Sequence, residues 1–562
     1  MRKCNNVRKL VGVGSLALLF ALTACQSQAP ESASVTLPDM PAGNLEFYAH
    51  HLSTLASDEF EGRAPGTRGE RLTLDHLVSA YEDLGLAPGY GESYLQPVPM
   101  VEQTNELRSE LSFVTGDEDW QLVYPEQMII NSRLLGQQIH GVEDSEVVFV
   151  GYGVNAPEYG WNDYEGLDVR GKTVVMLVND PGFATGDPAQ FNGRAMTYYG
   201  RWTYKYEEAA RQGAAAALIV HDTEPASYPW EVVTNSWSMP QFELGVASDE
   251  PVLTLEGWIT LDGARELFAR AGHDFDAAYA RAAQPGFEAM DLNTTLSAEV
   301  RNRVREGTSY NAVAMLHGTE QPEELIVYIA HWDHLGRTLN IPGSAGIYNG
   351  AVDNASGTAG LLEIARMYAE AGAPERSVMF LAVTLEEYGL LGSRYYANFP
   401  IVPTHQTVAA INMDAMTLIG PTEDVVVVGY GSSELEEILK QAVVAQDRRV
   451  VPEPTPEGGF YYRSDHFNFA RVGIPALYAK GGVVHREYGE AYGVEQSRIY
   501  RDLRYHKTTD EVQADWDYRG VIEDLQLLYV VGRAVADSDQ WPQWYEGNEF
   551  KAIRDRDLLR RP

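Results

Sequence analysis

From Asn302 onward the chain alternates short apolar runs with longer stretches of helical periodicity. NAVAMLHG, LIVYIAHWDH, SVMFLAVTLEE, TVAAINMDA, DVVVVG and GIPALYAKGG are rich in β-branched residues and predict buried strands. Leu361, Ile364, Ala365 and Tyr368 fall at i, i+3, i+4 and i+7, which predicts a helix with one apolar stripe beginning near Ser356. Further helices are predicted from Ser433 and from Gly520 to about Ala536. This alternation predicts an α/β protein, a layered sheet flanked by helices.

Folded sequence begins near Leu45 with a helix, a turn at Arg63 to Gly69, and a second helix stopped by Gly85 and Pro88. Tyr94 to Val98 reads as a strand. From about Leu107 the texture becomes β-rich, with many turns and the strand candidates VVFVGYGV, KTVVMLVND and AAALIVHD. Two packings are open for this stretch: a separate β-rich insertion, or βα units added to the main sheet. The predicted division is 45–125 for the first part of the main domain, 126–290 for the insertion, 291–540 for the main domain, and 541–562 for a Trp-rich, charged tail.

A chain of 562 residues exceeds one ordinary core. Its formal charge of −37 argues against nucleic acid as a partner, because phosphate binding needs exposed Lys and Arg. Arg2, Lys3, Arg8 and Lys9 precede an apolar run from Leu10 to Leu22 that is short for a bilayer, the pattern of an export signal over 1–24. Leu22-Thr23-Ala24-Cys25 resembles the bacterial lipobox, which implies a lipidated Cys25, and Gln26 resembles lipoproteins sorted to an outer membrane. Residues 25–44, rich in Ser, Pro and Ala, read as a flexible tether. The membrane is expected to hold the protein by that lipid alone, facing the periplasm or the cell surface. Cys4 and Cys25 are the two cysteines of the chain, so the mature protein has neither a disulfide nor a spare thiolate for a metal.

The chemistry gathers where the predicted strands end. His331 and Asp333 follow LIVYIA, Glu386 and Glu387 follow SVMFLAVTL, Asp414 follows TVAAINM, and catalytic groups in open α/β sheets collect at such ends. Asp353 precedes a predicted helix, where it could cap that helix or bind metal. His506 lies in the loop RYHKTTDE. Taken alone, each reads as a cap, a solvated charge or a packed ring. Together, His331, Asp353, Glu387, Asp414 and His506 supply two imidazoles and three carboxylates, a set suited to zinc without cysteine. Five such ligands with one shared carboxylate hold two ions about 3.5–4 Å apart.

In this order, AHWDH, GAVDNASG, LEEYGLLGS, NMDAM and YHKTTDE resemble the co-catalytic two-zinc exopeptidase family that includes bacterial aminopeptidases, glutamate carboxypeptidase and the transferrin receptor. The resemblance spans Asn311 to about Val512 and touches Leu45 to Val98. It implies a mixed central sheet flanked by helices and two Zn²⁺ ions. His331, Asp353 and Asp414 would hold one ion; Glu387 and His506, sharing Asp353, would hold the other. Glu386 would be the general base, Asp333 would orient the His331 ring, and Tyr461 or Tyr505 would stabilise the oxyanion. Residues 130–260, with Asp168, Gly171-Lys172, Ala209-Ala210 and Gly213-Ala214, resemble the protease-associated domain inserted in several exopeptidases. Asp465 could meet a substrate amine, and GGVVHREYGEAYGV, with His485, reads as a Gly-rich flexible loop.

The implied activity is release of N-terminal residues from peptides. The alternatives are a carboxypeptidase for acidic peptides, which would need an Arg cluster in its pocket, a receptor-like binding module, and a single-zinc cyclase. Nothing in the pattern specifies an oligomeric state.

Overall fold

The computed structural model describes residues 35–246, 250–338 and 346–561. The leader, Cys25 and the first part of the tether lie outside the described residues. The architecture is α/β, a large mixed sheet flanked by helices, as the alternation of apolar runs predicts.

Strand Gln321–His331 lies at the centre of the main domain, parallel to Arg376–Val383 on one side and to Thr407–Asn412 on the other. Ala476–Gly481 extends the parallel set, and Asp424–Val427 pairs antiparallel with it. At the opposite edge, the end of the long strand Met290–Leu316 runs antiparallel to Arg376–Val383.

Successive residues of the central strand serve opposite faces. Ile326, Tyr328 and Ala330 pack with the helices Leu45–Leu55, Ser356–Ala371 and Arg519–Ala536, while Leu325, Val327 and Ile329 pack with Tyr396, Phe469 and Phe550. Covering on both faces is why these strands are unbroken apolar runs rather than alternating ones. Since neighbouring parallel strands all end at one edge, their first polar residues meet there.

The inserted region has hydrophobic cores of its own. Thr173–Leu177, Ala216–His221 and Leu255–Thr260 run parallel within it, with the helix Trp202–Arg211 between the first two. Local βα units are therefore present; their side chains pack in cores of the insertion, while their strands join the one continuous sheet through the pairing of Met290–Leu316 with Ile139–Phe149 and of the latter with Thr173–Leu177. The hairpin Leu111–Thr115 and Glu118–Leu122 packs into the same core, so the insertion starts before residue 126 as a packing unit. The antiparallel pair Leu95–Arg108 and Met290–Leu316 carries the chain between the two regions.

Two expectations change. The C-terminal segment, read from sequence as a tail set apart from the main domain, is part of the main core: Trp544 is buried and donates from Nε1 to the Gly473 carbonyl at 2.9 Å. Arg554 on the helix Lys551–Leu558 donates to the Thr407 carbonyl at 2.8 Å. Long amphipathic side chains of this kind cover apolar surface while their polar ends reach backbone acceptors. The Gly-rich stretch after His485 is also not a loop, because Gly489–Leu503 is helical. Gly493 allows that helix to approach the strand end, since a Cβ there would lie 2.0 Å from the Val483 carbonyl oxygen. No helix among the described residues is long and apolar enough to cross a membrane.

Candidate metal centre

Five chain segments deliver acidic groups or imidazoles to one buried cluster at the C-terminal edge of the parallel strands. His331 ends the central strand, Glu386 and Glu387 follow one neighbour, and Asp414 follows the other. Asp353 comes from the turn before the helix Ser356–Ala371, and His506 comes from the loop after Gly489–Leu503.

The helix start is held by Asn354, the neighbour of Asp353. Asn354 Oδ1 accepts from Gly357 N at 2.9 Å and from Ala415 N at 3.2 Å, while its Nδ2 donates to the Met413 carbonyl at 3.0 Å. Asn354 thus holds the helix start and the turn after Asp414 together. Asp510 accepts from the main-chain N–H groups of Val352 and Asp353, each at 3.1 Å, which leaves the Asp353 side chain free to face inward.

Asp353 then stands between two histidines. Its Oδ1 lies 3.3 Å from His331 Nε2 and its Oδ2 lies 3.4 Å from His506 Nε2. On the first side, Asp414 Oδ1 is 3.6 Å from His331 Nε2; on the second, Glu387 Oε2 is 3.0 Å from His506 Nε2. Glu386 Oε2 borders the first side at 3.9 Å from His331 Nε2.

Charge is densely concentrated here. Burial opposes the charged form of both histidines, yet the surrounding carboxylates hold His331 and His506 well above the ordinary imidazole range. Glu386 is pushed well above the carboxylate range by burial and by the like charges of Glu387, Asp414 and Asp465, with His331 opposing. Burial also raises Asp333 to about 8.

A cluster of buried carboxylates outnumbering its imidazoles calls for cations, and His331 Nε2 is a buried nitrogen with no hydrogen-bond partner. This donor set of nitrogen and oxygen atoms, without sulfur, fits zinc. Two groups of three bring ligand atoms within 4.8 Å of one another, His331 with Asp353 and Asp414, and His334 with Asp353 and Glu387.

His334 is a site residue that the sequence reading does not single out. Its Nδ1 lies 2.5 Å from Glu387 Oε1, so Glu387 is held between His334 and His506. Tyr478 and Lys480 are further additions: both donate to the Asp414 carbonyl, at 2.7 and 3.1 Å. They follow the same rule of polar residues at a strand end, in ALYAKGG, that points to Asp414 itself. Arg63, from the turn between the first two helices, is fully buried and donates to the carbonyls of Trp332, Asn349 and Gly350, fixing the loops that carry His331 and Asp353.

The remaining expected residues fall in different places. Asp333 reaches His331 Nδ1 through its main-chain carbonyl at 3.2 Å, while its carboxylate accepts from Glu386 N at 3.1 Å. It therefore ties the turn that carries Glu386 to the histidine strand. Tyr505 stacks on His506 with ring centroids 4.0 Å apart. Tyr461 packs instead in the core, edge-on to His466 at 4.7 Å, and the charges that bear on it are those of Glu549 and Glu436. Asp465 is buried, accepts from Ser393 Oγ at 2.5 Å and leaves Oδ2 without a partner. His485 is buried too, its Nδ1 accepting from the main chain of Glu487 and Tyr488, so it serves a turn outside the cluster.

Residues 311–530 match the sequence model of Peptidase family M28. Aminopeptidase NAALADL1 of Mus musculus is 32% identical over 139 residues, 23% of this chain and 17% of that protein. A probable zinc metalloprotease of Leptosphaeria maculans is 38% identical over 87 residues, 16% of this chain and 20% of that protein. Among solved structures, an aminopeptidase from Aneurinibacillus sp. strain AM-1 aligns with 88% of this chain and 93% of its own, at 19% identity and a TM-score of 0.48. The matches to the two curated relatives thus cover a fifth of those proteins or less, and they agree with the family resemblance carried by the five motifs.

Proposed function

We propose that this chain is a zinc-dependent exopeptidase of the M28 type that releases N-terminal residues from peptides. The observation that carries the reading is Asp353, one carboxylate facing two histidines, each of which has a second carboxylate of its own. This is the arrangement a pair of ions requires. His331, Asp353 and Asp414 would hold one zinc, and Asp353, Glu387 and His506 the other, with His334 bracing Glu387.

Bound zinc supplies Lewis acidity toward the scissile carbonyl and makes attacking water acidic at neutral pH. Glu386 borders the cluster but contributes no ligand in this assignment. Its carboxylate takes the proton from water as the nucleophile forms and returns it to the leaving amine. The Tyr505 hydroxyl, on a ring stacked against His506, would donate to the developing oxyanion. Asp465, with a free Oδ2, offers an acceptor for a substrate ammonium group.

The chain is further proposed to be exported and anchored by a lipid on Cys25, with the inserted region a protease-associated domain. The functional test uses one peptide in free-amine and N-acylated forms, before and after chelation and zinc repletion. Zinc-dependent cleavage of the free form alone supports an aminopeptidase. Cleavage of the acylated form moves the reading to a carboxypeptidase, and cleavage of neither removes the exopeptidase.

A further inference from the structure

Three of the 13 histidines gather where the first two helices, Leu45–Leu55 and Arg68–Asp83, come together, and none of them belongs to the cluster at the sheet edge. His51 Nδ1 and His76 Nε2 face each other at 2.8 Å. Their ring centroids are 4.9 Å apart, and that of His50 lies 5.2 Å from His51 and 6.5 Å from His76. Phe47 packs edge-on against His51 at 4.3 Å and Phe60 against His76 at 6.0 Å, so aromatic rings wall the pair. His51 is 7% exposed, His76 is half-buried and His50 is exposed.

The choice of partner points to a ligand. Other buried imidazoles of the chain meet main-chain carbonyls, as His140 meets Gln137 and His221 meets Tyr228. His51 spends Nδ1 on a second imidazole. A neutral ring has one N–H and one lone pair, so this contact uses the proton of one ring; moving that proton to the far nitrogen of the same ring leaves two lone pairs aimed at each other. Such a tautomer is stable with a cation between the rings. Two imidazole nitrogens on one tetrahedral zinc stand about 3.3 Å apart, so the pair would open by about 0.5 Å, a movement on the scale of a small side-chain rotation.

The state of the rings agrees. Burial pushes His51 down to about 3 and also lowers His76; beyond burial, the neighbouring imidazoles and not a carboxylate bear on them. Both rings are therefore neutral at pH 7, the form that binds metal. An open cleft of about 640 Å³ adjoins them, lined by His50, Phe60, Glu46 and Glu59. Its two exposed carboxylates favour the entry of a cation.

We propose that His51 and His76, with His50 as third ligand, form a separate binding site for a late first-row divalent cation such as zinc, which clips the first two helices together. Imidazole donors select that class over magnesium and calcium, which take oxygen. The clip bears on the rest of the main domain through packing. Leu55 and Ala56, at the end of the first helix, pack with Phe60, Ala351 and Ala355, and Asn349 Nδ2 donates to the Ala56 carbonyl at 2.8 Å. A cation on the histidines thus steadies the surface against which the turn carrying Asp353 rests. The site is independent of the exopeptidase reading.

The test is a zinc titration of the full chain, first loaded with zinc and dialysed to constant metal content. Calorimetry should find one further equivalent per chain, bound at micromolar strength and not matched by calcium. His51→Gln and His76→Gln should each abolish that equivalent while the dialysis-resistant zinc stays at the wild-type value, and His50→Gln, at an exposed position, should weaken it about tenfold. The further equivalent should raise Tm by a few degrees in wild type and leave it unmoved in His51→Gln and His76→Gln. In wild type isotope-labelled at histidine nitrogen, the same zinc should shift the ring resonances of His51 and His76, and this measurement carries the test if either variant does not fold. The site is overturned by the absence of a further equivalent, by one that needs millimolar zinc or that calcium matches, or by one that survives both substitutions. Unshifted His51 and His76 resonances overturn it as well.

Discussion

Glu386→Gln separates the base from the metal ligands. Gln has the shape of Glu but cannot accept and return a proton, and the distances put Glu386 Oε2 at 3.9 Å from His331 Nε2, outside the 3.3 and 3.6 Å contacts of Asp353 and Asp414. Zinc content should therefore stay at the wild-type value. General-base catalysis contributes roughly 100- to 10,000-fold, which corresponds to about 2.7–5.4 kcal/mol of barrier. The expected result is a fall in kcat of that size with KM changed much less. Stability gives a second readout with its own sign. Burial and the like charges of Glu387, Asp414 and Asp465 raise the Glu386 pKa in the fold, so its ionised form is disfavoured there. A group raised in this way contributes stability at low pH that is lost as pH rises. The metal-free Gln variant has no such loss and should melt at or above the wild-type temperature at neutral pH. The assays are elemental analysis, steady-state kinetics and calorimetric melting after chelation. A variant with full zinc and kcat within tenfold of wild type would refute the assignment of the base, and a variant without zinc would make Glu386 a ligand instead.

Three further outcomes test other parts of the molecule. In the insertion, Glu256 is fully buried and burial lifts it to about 7 despite Arg133, so its stability contribution is present below the ordinary carboxylate range and lost between there and about 7. Glu256→Gln should accordingly stabilise by up to about 3 kcal/mol at pH 8 and by little at pH 4.5, read from urea melts at the two pH values. Trp544→Ala removes a buried anchor of the C-terminal segment and should cost about 3–5 kcal/mol in the same melts; a cost below ~1 kcal/mol would show that the segment adds little to the core. Cys25→Ser should shift the protein from the membrane fraction to a soluble fraction with zinc-dependent hydrolysis intact, while unchanged fractionation would exclude the lipid anchor.

Much of the main domain is legible in sequence because its strands are parallel and covered on both sides. LIVYIA and SVMFLAV are apolar throughout for that reason, and the abrupt change to His331 and Glu386 marks where cover ends and the cleft begins. The C-terminal segment is less legible. Its cue is single, widely spaced residues such as Trp544, Phe550 and Arg554, with no period to reveal a buried face. The helix Gly489–Leu503 is hidden by glycine, whose usual turn signal is outweighed at Gly493 by a close approach to backbone.

The same contrast explains the site. A residue that meets the cluster from a strand end carries a positional signal, which is why His331, Glu387 and Asp414 stand out and why Tyr478 and Lys480 could have done so. Residues that act across a seam carry none. Arg63 is 269 residues from Trp332, whose carbonyl it holds, and Arg201 is separated from the segments of the cluster by the rest of the insertion. Arg201 is buried and its Nε has no hydrogen-bond partner, which no periodicity around it marks. Groups of the cluster are thus constrained by the sheet and visible in its pattern, whereas groups at the seam depend on how two separately packed regions meet. Substitutions at Tyr198, Tyr228 or Phe467 would therefore disturb that seam while the five segments of the cluster, held by the main sheet and by Arg63, stay where they are.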